Sequence, residues 1–221
     1  MIGIIDLEIC NLKSIQSKVP SNITLVAVSK TKSNASIMEA YDAGQRVFGE
    51  NKVQDMVVKA HELPLDIHWH MIGHLQTNKV KFIAPFVSLI HGVDSLKLLK
   101  EINKRATQNN RTIDCLLQIH IAKEDTKFGL SEQEALTLIQ SSKALKNICI
   151  KGVMGMATNT QDEALIRSEF AALKTLFLKL EKVTNDLQII SMGMSSDFEL
   201  AIEEGTTMIR VGSAIFGLRN K

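Results

Sequence analysis

Apolar residues in this chain gather in eight short runs, at positions 24–29, 47–49, 68–73, 89–93, 114–121, 148–156, 187–192 and 208–216. Most are rich in Val, Ile or Leu and lack polar alternation, the pattern of parallel strands covered on both faces. Each is followed by a segment that reads as helix. The clearest lies at 163–183, where Leu165, Phe170, Leu173, Phe177 and Leu180 form one stripe at mostly three- to four-residue steps. Several helices open on an S/T-x-x-E pattern, in which a hydroxyl and a carboxylate satisfy first-turn amides reciprocally: Ser36 with Glu39, Ser131 with Glu134, Thr160 with Glu163, and Ser196 with Glu199. Gly44 and Gly205 stand where two of the helices should stop. A further helix, around 7–19, precedes the first strand.

Eight strand–helix units in succession predict an α/β chain closed as a (β/α)8 TIM barrel with an extra N-terminal helix. An open doubly wound sheet fits less well, because it usually carries a Gly-rich first turn and the turn here reads SKTKS. The 221 residues suit one barrel domain over 1–221. A balance of 26 Lys+Arg against 24 Asp+Glu, net +2, gives no broad field for nucleic acid or an anionic membrane. No apolar run approaches the ~18 residues of a membrane span. Asp6 and Glu8 interrupt the apolar amino terminus, unlike a signal peptide. Cys10, Cys115 and Cys149 are odd in number and contain no CxxC, so neither a disulfide framework nor a zinc ribbon is predicted. Cys115 and Cys149 lie in apolar runs, where Cys acts as a small hydrophobe. A cytoplasmic protein is expected.

In a barrel, functional side chains gather at the carboxyl ends of the strands. Lys30 ends the first run. On position alone two readings stand: a lysine that snorkels to solvent, or one whose pKa falls from about 10.4 by desolvation, freeing a neutral amine to attack carbonyls. Runs seven and eight end in small-residue turns, SMGMSS and RVGSA, which expose amides and hydroxyls where barrels commonly bind phosphate. Ser195, Gly212 and Ser213 form the natural cradle. Arg210, two residues before that turn, needs an acceptor, and a ring nitrogen beside the phosphate would serve. Together these describe a site for an aldehyde-bearing phosphate cofactor.

The blocks LVAVSKTK, FGENKVQD, WHMIGHLQTNK, TKFGL, KGVMGMA and SMGMSSDFELAIEEGTTMIRVGSAIFG, across 25–217, resemble the pyridoxal-phosphate homeostasis protein family. These are barrels related to the barrel domain of bacterial alanine racemase. The resemblance implies pyridoxal 5'-phosphate (PLP) held as a Schiff base on Lys30, its phosphate on Ser195, Gly212 and Ser213, and Arg210 facing the pyridine nitrogen. It further implies Asn51 on the cofactor face, with Ser191 and Met192. Two departures are visible: the region before Leu25 is short for the family, and the KEDTKFGL loop keeps Lys127 and Gly129 but inserts Phe128.

The function expected is cofactor homeostasis, holding PLP and buffering or delivering it to apo-PLP enzymes, without nucleic acid or membrane partners and as a monomer. An arginine at the ring nitrogen can only donate, which keeps the electron sink weak. The alternatives are a PLP-dependent amino-acid racemase of low activity and a Schiff-base aldolase for a sugar phosphate. Racemisation needs a second acid–base group. Tyr41, the only tyrosine, reads as packing, which leaves His74 as the candidate beside Lys30 should the protein be an enzyme. His68, His70 and His74 could suggest zinc, but no carboxylate or cysteine supports them at ligand spacing, and no metal is expected. His91 and His120 are read as bordering the pocket, Trp69 as packing on an outer helix, and Met154, Met156, Met192 and Met194 as an apolar rim or core filling.

Overall fold

The computed structural model describes residues 2–124, 128–184 and 186–217, with side chains from Ile9 onward. Lys127 therefore lies outside the described residues. Eight parallel strands close into a barrel in the order β1 to β8: β1 Thr24–Val28, β2 Val47–Glu50, β3 His68–Met71, β4 Leu89–Val93, β5 Ile113–Gln118, β6 Ile148–Met154, β7 Ile189–Ser191 and β8 Met208–Val211. The expected barrel is thus present, and its closing pair aligns Val26 with Arg210. α1 (Ile2–Lys18) precedes β1 and packs against α2 (Asn34–Asp42) and α9 (Ser213–Phe216). Between them lie α3 (Val53–Glu62), α4 (Val80–Ile83), α5 (Leu96–Gln108), α6 (Glu132–Ser142), α7 (Glu163–Glu181) and α8 (Phe198–Glu203).

Alternation along each strand divides the core in two. Outward residues such as Leu25, Ala27, Phe48, Trp69, Ile90, Ile190 and Ile209 pack with the helices, while inward Val26, Leu89, Leu116, Met154 and Met208 plug the barrel. Two residues further along β4, β7 and β8 from Leu89, Ile189 and Met208, the interior turns polar, with His91, Ser191 and Arg210. The late apolar runs overshoot their strands because their last residues open the following turns: 213–216 is helix, not strand.

The helix stops hold, with Gly44 at φ +99° and Gly205 at φ +90°. The starts need correction. Of the four patterns only Ser131 and Glu134 form a reciprocal box; α2 is capped by Ser33 and α7 by Asp162, while α8 has Asp197 at its N-cap position with no side-chain cap hydrogen bond among the described residues. The α7 stripe also shifts, since Ile166 is buried in place of Leu165. Cys115 is fully buried, and its thiol pKa is pushed up by burial, whereas Cys149 is only half-buried. No helix among the described residues is long and apolar enough to cross a membrane.

Candidate functional site

A cavity of about 390 Å³ opens at the carboxyl ends of the strands, within the size range of small-molecule sites. Its lining includes Lys30, Lys32, Asn51, Ser195, Arg210 and Gly212, with Ser213, Met156 and Met194 beside them. Six of the eight residues expected at the cofactor therefore share one chamber.

Lys30 stands two residues past the end of β1, after Ser29, and is half-buried. Its neighbour Ser29 is held twice: the hydroxyl donates to Glu50 Oε1 at 2.6 Å, and its carbonyl accepts from Lys59 Nζ at 2.9 Å. Lys59 also pairs with Glu50 at 2.7 Å. Both charged residues lie behind the strand wall, where α3 meets β2, and Glu50 Oε2 is buried with no hydrogen-bond partner among the described residues. Thr31 then takes φ +66°, an uncommon conformation for a branched residue, which turns the chain so that Lys32 also lines the cavity. Lys32 Nζ donates to the Phe216 carbonyl and, at 3.4 Å, to that of Gly217. Sequence reasoning missed Lys32; the signal was the SKTK spacing, two lysines separated by one residue in the turn after β1.

Asn51 follows β2. Its backbone lies so close to Gly73 that a Cβ there would meet the Asn51 carbonyl at 2.4 Å, so glycine is required at this crossing. On the opposite wall, Ser195 Oγ accepts from the Gly212 amide at 3.1 Å and the Ala214 amide at 3.4 Å, joining the turns after β7 and β8. With its oxygen so engaged, the Ser195 hydroxyl keeps its own hydrogen to donate, and Ser213 lines the same cavity, a donor pair suited to a phosphate.

Arg210 projects inward from β8. One guanidinium nitrogen donates to the Ser191 carbonyl at 2.8 Å and hydroxyl at 2.6 Å; the other donates to the Gly155 carbonyl at 3.0 Å. Burial pushes its pKa down to about 10, with the Asp197 carboxylate acting in the opposite sense. The residue stays charged at neutral pH and retains donor capacity on the cavity side.

Two expected residues lie elsewhere. Ser191 faces the barrel interior beneath Arg210 and supports that side chain without lining the cavity. Met192 is fully buried among the outward residues, because the next strand position points to the opposite face. His91 is likewise not at the pocket border: it is wholly buried, with Nε2 3.0 Å from His70 Nδ1 and Nδ1 3.3 Å from Ser191 Oγ. His120 is an exposed rim residue bonded to the Glu124 carbonyl. His74 lies outside the cavity, 3.4 Å from Asp94 and against the Phe128 ring. Tyr41 donates to Asp66 at 2.7 Å and carries Arg46 over its ring. Of the methionines, Met156 and Met194 line the chamber while Met154 and Met192 fill core. Among the described residues no three His, Cys, Asp or Glu side chains gather as a metal site.

Residues 9–220 match the family described as alanine racemase, N-terminal domain. The pyridoxal phosphate homeostasis protein of Helicobacter pylori strain J99 is 42% identical over 197 residues, covering 88% of this chain and 87% of that protein. Its counterpart in Haemophilus influenzae is 36% identical, with 95% of each chain covered. PipY of Synechococcus elongatus, solved with PLP bound, superposes with a TM-score of 0.88 at 36% identity, over 95% of this chain and all of that one. Alanine racemase of Clostridium difficile shares the fold at 15% identity, with a TM-score of 0.83 over 98% of this chain and 58% of the larger enzyme. The chain belongs to the pyridoxal phosphate homeostasis proteins, a family built on the alanine racemase N-terminal barrel.

Proposed function

We propose that this chain binds PLP as a Schiff base on Lys30 and holds it for homeostasis, sequestering the aldehyde and buffering or delivering the cofactor to apo-enzymes. The observation that carries this reading is the convergence, in one cavity, of Lys30, the Ser195 and Ser213 hydroxyls and Arg210. The donor set fits the cofactor: an amine for the aldehyde, neutral donors for a phosphate, and a permanent cation that can only donate to a pyridine nitrogen. Bound PLP would supply carbanion stabilisation, and Arg210 keeps that capacity weak. Apart from Lys30, the cavity walls offer the ammonium of Lys32 and the guanidinium of Arg210, and no imidazole, phenol or carboxylate among the described residues. This lining supports holding over turnover.

The test is an absorbance scan of cofactor-saturated protein, followed by borohydride reduction and peptide mapping. Wild type should show a Schiff-base band that reduction fixes on Lys30, and Lys30→Ala should lose the band. A band that persists in the variant, a label on Lys32 alone, or no band in saturated wild type overturns the assignment. Lys30-dependent entry of solvent deuterium at the α-position of an amino acid would establish the racemase instead.

A further inference from the structure

An arginine cannot accept a hydrogen bond, so the direction of the buried chain beneath the cavity follows from its charged end. Arg210 donates to Ser191 Oγ. The Ser191 hydroxyl is fully buried and must place its own proton, and the acceptor within reach is His91 Nδ1. His91 then carries its hydrogen on Nε2 and gives it to His70 Nδ1, which leaves the His70 hydrogen on Nε2. Every link is satisfied only when both rings are neutral. Burial favours that state: it pushes His70 down to about 3 and His91 well below its ordinary value. A protonated His91 would offer a second donor to an oxygen that already accepts from a cation.

We propose that His91 is a positioning residue for the cofactor ring: the one-way chain from Arg210 through Ser191 to His91 fixes the guanidinium beneath the cavity and so sets how firmly PLP is held, while His70 fixes which His91 nitrogen carries the hydrogen, a task that falls away when residue 91 is an amide. Neither histidine lines the cavity, and both act through Arg210. The proposal rests on the reading of the cavity as a PLP site and names the residues that tune it.

The test compares two substitutions at one position in the full chain. His91→Asn keeps an acceptor toward Ser191 and shortens the side chain; His91→Leu keeps apolar volume and removes the acceptor. If the site mattered for packing alone, Leu would be the better tenant of a fully buried position. The relay ranks them the other way. The readouts are the PLP dissociation constant, the position of the bound cofactor's absorbance maximum, and thermal unfolding without cofactor. The expected result is His91→Asn within about threefold of wild type and His91→Leu weakened about tenfold or more, as suits the loss of a hydrogen bond in a charged network. A displaced absorbance maximum in the Leu variant should accompany the loss. Ser191→Ala, which breaks the same chain with a smaller change in volume, should weaken binding similarly and serves if His91→Leu does not fold. Leu binding as well as Asn, or Ser191→Ala binding like wild type, overturns the relay while leaving the PLP site standing. A wild type that takes up no PLP overturns the site itself.

Discussion

Behind Lys30 the barrel wall holds a charged cluster, Glu50 with Lys59; beneath Arg210 the barrel interior holds two uncharged histidines. The first lies outside the strands, where α3 covers the end of β2, and it grips the backbone and hydroxyl of Ser29. The second lies inside the strands and reaches its target through a hydroxyl. The difference reflects what each must hold. A turn carrying a half-buried lysine is fixed by strong, geometrically loose ionic contacts. A buried guanidinium already brings a charge, so its support can be neutral, directional and free of a second desolvation cost.

The charged cluster should fail hardest when half of it is removed. Lys59→Met leaves the Glu50 carboxylate in a buried site with the Ser29 hydroxyl beside it, because its second oxygen has no partner among the described residues. Breaking a buried pair in this way costs about 3–5 kcal/mol, read as a fall in the urea midpoint. Removing both charges with Glu50→Gln and Lys59→Met should restore at least half of that loss. A single variant as stable as wild type would mean that the cluster is not a lock.

The neutral network should fail with acid. The folded-state pKa values of both histidines lie below the unfolded value near 6.5, so between about pH 3 and 6.5 the unfolded chain binds more protons than the native one. Their contribution is complete above about pH 6.5 and is lost as pH falls towards 3. For His70 the loss is about 2 kcal/mol on going from pH 7 to pH 5, and His91 acts in the same direction. Unfolding curves at pH 7, 6 and 5 check this. The double substitution of His70 and His91 by Asn should flatten the slope, and a slope unchanged by it would place the acid sensitivity elsewhere.

The two networks also mark how far the chain could be read in advance. Strand number, barrel closure and the cavity residues Lys30, Ser195, Arg210, Gly212 and Ser213 were legible from position, because each sits close to the carboxyl end of a strand and the fold sends such positions to one rim, whereas Asn51 was legible only through the family resemblance. Neither network was. Glu50 and Lys59 look like ordinary charges in FGEN and in a helix, and nothing in spacing says that they meet across the β2–α3 turn. His70 and His91 lie 21 residues apart on separate strands, so their contact depends on register. The inward run from Leu89 to His91 showed the face but not the depth, and depth decides whether a histidine borders a pocket or lies beneath it. Met192 failed for a simpler reason: a one-residue step along a strand reverses the face.

The smallest test concerns helix starts, where local pattern and structure also part. The S/T-x-x-E pattern occurs at four helices, but only Ser131 and Glu134 close both halves of the box. There Glu134 Oε2 accepts from the Ser131 amide at 2.8 Å, and those contacts hold its carboxyl below the usual range. At α2 the chain enters one turn earlier, so Ser33 accepts from the Ser36 amide at 3.2 Å and Ser36 lies inside the helix. Ser131→Ala and Ser33→Ala should therefore each cost about 1 kcal/mol, whereas Ser36→Ala should stay within about 0.5 kcal/mol of wild type. Thermal unfolding resolves that difference. A loss at Ser36 as large as at Ser33 would return the cap to the residue that the sequence pattern names, and would show that chain entry, rather than hydroxyl spacing, had been misplaced.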